Sequence, residues 1–89
     1  MKMIISAEIT KGYETWKKLF LSIDHLREKY GVTVLAYGHN KENENKVYQV
    51  LEVSSMESMQ EALKEPEIVK LRTDAGVNLE SQEVVALVE

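Results

Sequence analysis

Eighty-nine residues with no cysteine and a net charge of -4 fit one domain spanning 1–89, with no disulfide framework, thiolate metal site or cysteine nucleophile. Acids and bases are interspersed and no basic stripe offers the phosphate neutralisation that nucleic-acid binding needs, so no nucleic-acid partner is expected. No apolar run approaches the ~20 residues that span a bilayer, and Met1-Lys2 leads straight into strand-like sequence, so a soluble cytoplasmic protein with no membrane partner is expected.

From Lys2 to Ile9 the residues Met3, Ile5, Ala7 and Ile9 alternate with Lys2, Ile4, Ser6 and Glu8, the period of a strand. Beyond Thr10-Lys11-Gly12 the period changes. Tyr13, Trp16, Leu19, Phe20, Ile23, Leu26 and Tyr30 share one side of a helix of about five turns. Glu14 in the first turn and Arg27 and Lys29 in the last complement its dipole, and Gly31 suits the left-handed position past its end. Val32 to His39 and Lys46 to Val53 are rich in β-branched and aromatic residues and read as a hairpin around the polar Asn40 to Asn45. Ser54 with Glu57 has the form of a capping box, and Met56, Met59 and Leu63 face inward from the helix it opens. Pro66 predicts a break near Glu65 and a second helical piece from Pro66 to Ala75, which Gly76 ends. Leu79 to Val88 supplies the last strand, and the unbroken apolarity of Val84 to Val88 predicts contacts on both of its faces.

The order β-α-β-β-α-β predicts an α+β, ferredoxin-like fold: four antiparallel strands with the helices on one face. Strict alternation puts Met3, Ile5, Ala7, Ile9, Val32, Val34, Ala36, Gly38, Val47, Gln49, Leu51 and Val53 toward the helices. The opposite face then carries Ile4, Leu35, Tyr37, Tyr48 and Val50, an apolar group of the size that marks an interaction site. A second copy laid across it would form a two-fold homodimer.

The chain resembles the dimeric α/β-barrel superfamily, which includes antibiotic-biosynthesis monooxygenases and haem-degrading monooxygenases. The likeness spans the chain. It rests on the element order, on Gly12-Tyr13-Glu14-Thr15-Trp16 at the entry to the first helix, and on Glu52-Val53-Ser54-Ser55-Met56-Glu57-Ser58-Met59-Gln60-Glu61-Ala62-Leu63, where a strand leads to a serine-capped helix. The resemblance implies a dimeric barrel with any small molecule held between sheet and helices. It does not carry over haem chemistry. The asparagine, tryptophan and iron-ligating histidine of that pattern fall on Ala7 or a neighbour, Ala62 and Arg72, so no resident cofactor is expected.

Small side chains at Ala7, Ala36 and Gly38 predict space beneath Trp16 and Phe20. Gln49, the one amide on that face, and Arg72, at the rim, are the polar groups that could orient an apolar or aromatic small molecule in it. Arg27, within the apolar arc of the first helix, ranks below Arg72, and a long stem over apolar surface with the guanidinium in water explains both arginines. His39 is expected near Tyr37, Tyr48 and Glu52 as a surface histidine at the dimer rim, and His25 in solvent. Ser6 and Glu8 form no triad or carboxylate pair, and Glu42 and Glu44 lack the spacing of a calcium loop, so no metal site is expected. These features predict a small-molecule-binding protein or a cofactor-independent, monooxygenase-like enzyme. The rival is a non-catalytic dimerisation or regulatory module with a solid core.

Overall fold

Strands and helices alternate in the computed structural model, which describes residues 1–89, as β1 (Lys2–Ile9), α1 (Tyr13–Ser22), α2 (Asp24–Lys29), β2 (Val32–Asn40), β3 (Asn43–Val53), α3 (Met56–Lys64), α4 (Pro66–Asp74) and β4 (Val77–Leu87). The strands form one antiparallel sheet in the order β2-β3-β1-β4. This is the ferredoxin-like α+β arrangement, with β3 and β1 central. No helix is long and apolar enough to cross a membrane.

Alternation in the central strands builds the core. Met3, Leu51 and Val53 are removed from water and, with Ile5 and Val32, pack against Met59 of α3. Toward the other end of the sheet, Ile9 and Val47 meet Trp16 and Phe20 of α1 and Ala75 beyond α4. A third cluster joins helix to helix through Ile23, Leu26, Ala62 and Ile68.

The first helical stretch is two helices rather than one. The Ser22 hydroxyl donates to the Leu19 carbonyl at 2.6 Å, the group that an unbroken helix would offer to the Ile23 N–H. Ile23 leaves helical geometry at φ -109°, ψ 23°, and its own carbonyl accepts from Leu26 and Arg27 to open α2. The bend lets Trp16 and Phe20 rest on the sheet while Ile23 and Leu26 turn toward α3 and α4. Gly31 closes α2 at φ +69°, where a Cβ would come within 2.7 Å of Ser54 Oγ. The break before Pro66 lies where the sequence predicts it, with Pro66 opening α4. The cap of α3 is one residue later than expected. Ser54 is still tied to Gly31 through its backbone, so Ser55 caps instead, its hydroxyl accepting from the Ser58 N–H at 3.1 Å.

Three departures in the sheet reposition side chains. The hairpin is tighter than its polarity suggests, because Asn40 Oδ1 accepts from the Glu42 N–H at 2.7 Å and Asn43 Oδ1 from the Asn45 N–H at 3.0 Å, and β3 begins at Asn43. In β2 the pairing passes from Val34↔Leu51 to Ala36↔Val50, so Leu35 and Ala36 both stand opposite Val50. That bulge inverts the alternation beyond it. Tyr37, opposite Gln49, and His39, opposite Val47, therefore lie on the helix-facing side, while Ala36 and Gly38 take the open face. In β4 the pairing passes from Ser6↔Glu83 to Glu8↔Asn78, leaving Leu79, Glu80, Ser81 and Gln82 opposite Ala7 alone. Side chains hold this bulge: Ser81 Oγ accepts from the Glu8 N–H at 2.8 Å and donates to the Asn78 carbonyl at 2.7 Å. The expectation that Val84 to Val88 is covered on both faces does not hold within one chain, because β4 is an edge strand and Val84, Val85, Leu87 and Val88 are exposed.

Candidate functional site

The two stretches that break into helix pairs, one before β2 and one after β3, arch over the sheet and leave a cavity of about 90 Å³ beneath them. Trp16, Phe20, Gln49 and Arg72, the four residues singled out from the sequence, all line it. Trp16 and Phe20 are one turn apart on α1 and stack with ring centroids 4.7 Å apart at 18°, forming one wall. Ile5 and Leu51 form the floor from β1 and β3, and Ile68 and Leu71 contribute from α4.

Tyr37 joins this aromatic group from β2. Its ring lies 5.3 Å from Phe20 and 6.4 Å from Trp16, which corrects its expected place on the open face. His39 follows the same inversion. Its ring meets the edge of Tyr13 at 4.6 Å, on the side of the sheet away from Tyr48. His39 is therefore not beside Tyr48 and Glu52, where strict alternation puts it. His25 is exposed, 3.4 Å from Glu67, and no three His, Cys, Asp or Glu residues gather as a metal site.

The polar groups of the cavity differ in how they are satisfied. Arg27 is buried rather than reaching into solvent, as a long stem over apolar surface would allow. Its guanidinium lies 4.0 Å from the centre of the Phe20 ring and donates to Asp24 at 3.1 Å. Desolvation lowers its pKa and the Asp24 contact acts in the opposite sense, so its charge is engaged on both sides. Arg72, half-buried near the end of α4, also has a lowered pKa through desolvation, with no carboxylate opposing it. Gln49 is half-buried on β3. Ser6 of β1 also lines the cavity, and the β4 bulge brings in a further polar group that the sequence does not reveal. Gln82 lines the cavity, and its Oε1 is cut off from solvent without a hydrogen-bond partner. Between Ser81 and Glu83 it reads as part of a solvated segment.

Arginine does not titrate near neutral pH, and no carboxylate, imidazole or phenol lines the cavity. The site can orient a molecule and stabilise negative charge, but it supplies no general base. Its size is also informative. Ligand sites commonly enclose roughly 300–1,000 Å³, so this cavity suits a molecule of few non-hydrogen atoms.

No protein-family model and no curated protein matches the sequence. Solved structures do match over nearly the whole chain. A proposed antibiotic-biosynthesis monooxygenase from Deinococcus radiodurans superposes with a TM-score of 0.73 at 10% identity, covering 100% of this chain and 94% of that one. An uncharacterised NIPSNAP domain protein from Burkholderia xenovorans gives 0.70 at 16% identity, with 99% and 92% covered. SnoaB, a cofactor-independent oxygenase from Streptomyces nogalater, gives 0.68 at 9% identity, again with 99% and 92% covered. This chain has their fold. That fold is ferredoxin-like, and at 9–16% identity the likeness is one of architecture.

Proposed function

We propose that this protein binds a small, largely apolar molecule in the cavity between sheet and helices, in the setting of a cofactor-independent, monooxygenase-like fold. The observation that carries this reading is a cavity walled by Trp16 and Phe20 in which Arg72 and Gln82 present polar groups that nothing else in the chain satisfies. Binding and orientation are favoured over proton-transfer catalysis, because the only ionisable lining groups are guanidiniums. A reaction of the bound molecule would have to begin from a form already ionised, held by Arg72.

We also infer a homodimer through the open face of the sheet. The register aligns Ala36, Val50, Ile4 and Val85 in one apolar row across all four strands, and Leu35 and Leu87 beside it are exposed. This row supports Ile4, Leu35 and Val50 as interface residues, with Tyr48 in the adjacent row opposite Ser6. Tyr37 leaves the proposed patch and Val85 enters it. A pure dimerisation module is the reading that would remain if the cavity admits nothing.

The ligand reading is tested with Trp16, the single tryptophan of the chain. Small aliphatic and monocyclic aromatic probes, and xenon, are titrated while Trp16 emission and the methyl resonances of Ile5, Leu51 and Ile68 are followed. Shifts confined to these residues are the expected result. Methyls unmoved by every probe, xenon included, would refute a ligand site.

A further inference from the structure

Two polar groups that line the cavity, one buried and one half-buried, have no partner in the chain and are of opposite kinds. Gln82 Oε1 is an acceptor shielded from water with no donor. Arg72 is a cation that can only donate, and no acid of the chain balances it. Arg27 cannot serve as a second free cation, because Asp24 and the Phe20 ring already engage it. The unmet requirement is therefore for one negative charge and one hydrogen-bond donor within a small apolar enclosure.

We propose that the cavity is a receptor for a short-chain carboxylic acid that carries a hydrogen-bond donor, such as a hydroxyl, with its carboxylate on Arg72 and its donor on Gln82 Oε1. This rests on the reading of the cavity as a ligand site. The planar guanidinium matches a carboxylate in geometry as well as charge. A doubly charged phosphate suits the site less well, since only one cation is free and the desolvation of a dianion would go largely unopposed. A cavity of about 90 Å³ limits the apolar body to a few carbons. The Trp16 and Phe20 wall contacts that body.

The 89-residue chain is titrated at neutral pH with 2-hydroxybutyrate, butyrate and 1-butanol, with xenon as a neutral reporter of cavity access. Trp16 emission and the methyl resonances of Ile5, Leu51 and Ile68 give the affinities. The hydroxy acid is expected to bind most tightly. Arg72→Gln should weaken both acids by about ten- to a hundredfold, and Arg72→Lys, which keeps the charge without the fork, should weaken them less. Gln82→Leu should weaken the hydroxy acid while leaving butyrate within about twofold. Butanol binding as tightly as the hydroxy acid, or acid affinities indifferent to Arg72→Gln, would overturn the ligand class while leaving the cavity reading intact. If neither xenon nor any probe enters, so that the space holds water only, both fall together. A normal circular-dichroism spectrum and melting transition for each variant separates lost binding from lost folding.

Discussion

Gln82 keeps its Oε1 out of water and Arg72 half-buries its side chain, neither with a partner inside the chain. In the empty protein that arrangement lowers stability, and an apolar side chain of similar shape removes the penalty. Gln82→Leu is expected to raise stability by about 1–3 kcal/mol, the cost of an unmet acceptor. Arg72→Met should also raise the unfolding midpoint, whereas Arg27→Met should lower it through loss of the Asp24 bond and the Phe20 contact. Denaturant titrations of the three variants check this, and a fall for both Arg72→Met and Gln82→Leu would show that these groups are satisfied after all. At this scale the sequence identifies much of the cavity lining. Trp16 and Phe20 follow from helical spacing, Gln49 from its lone polarity on an apolar face, and Arg72 from its place beside Leu71 and Ile68. Gln82 is not legible, because its flanking Ser81 and Glu83 give it the appearance of a solvated segment.

The element boundaries that matter most are set by short breaks in regular structure. The Leu35 bulge carries Tyr37 from one face of the sheet to the other, and the Leu79 to Gln82 bulge brings Gln82 to the cavity. Neither is marked by glycine or proline, so period-two reading passes straight through both. The break at Ile23 is equally unmarked, since Ser22 acts through one side-chain hydrogen bond. Pro66, by contrast, announces its break. The corner that Pro66 makes is held from outside by Tyr30, whose phenol donates to Glu65, with Lys29 3.9 Å from the same carboxylate. The bond to Glu65 raises the Tyr30 pKa, as do desolvation and nearby acidic charge. For an acid whose pKa is raised on folding, the stabilising contribution is complete below the unfolded value, about 10 for tyrosine, and is lost as pH rises through the folded value. Stability should therefore fall more steeply above pH ~10 in the native chain than in Tyr30→Phe, in denaturant midpoints measured across that range. Parallel curves would show that the bond does not couple to titration.

Over the whole molecule, one face of the sheet is covered by helices and the other is not. The open face carries the row Ala36, Val50, Ile4 and Val85, and the β4 edge leaves Val84, Leu87 and Val88 exposed. A chain this short benefits from the extra burial that association provides. Light scattering on the eluting protein at micromolar concentration is expected to give about twice the chain mass of 10.2 kDa. Val50→Glu should divide the dimer, because it buries an unpaired charge at the centre of the row. Tyr37→Ala should leave the mass unchanged and shift Trp16 emission instead, since Tyr37 packs on the aromatic wall. A monomeric native chain, or dissociation by Tyr37→Ala, would contradict this assignment.

The order of strands and helices, their antiparallel pairing and the helix-facing core of Met3, Ile5, Leu51 and Val53 are determined by the sequence alone. Periodicity records which face is buried wherever the backbone is regular. What only the tertiary structure decided is the polar half of the candidate site and the true membership of the open face. Both depend on bulges, where an odd number of extra residues reverses every side chain beyond them, and neither bulge carries a glycine or proline that would mark it in the sequence.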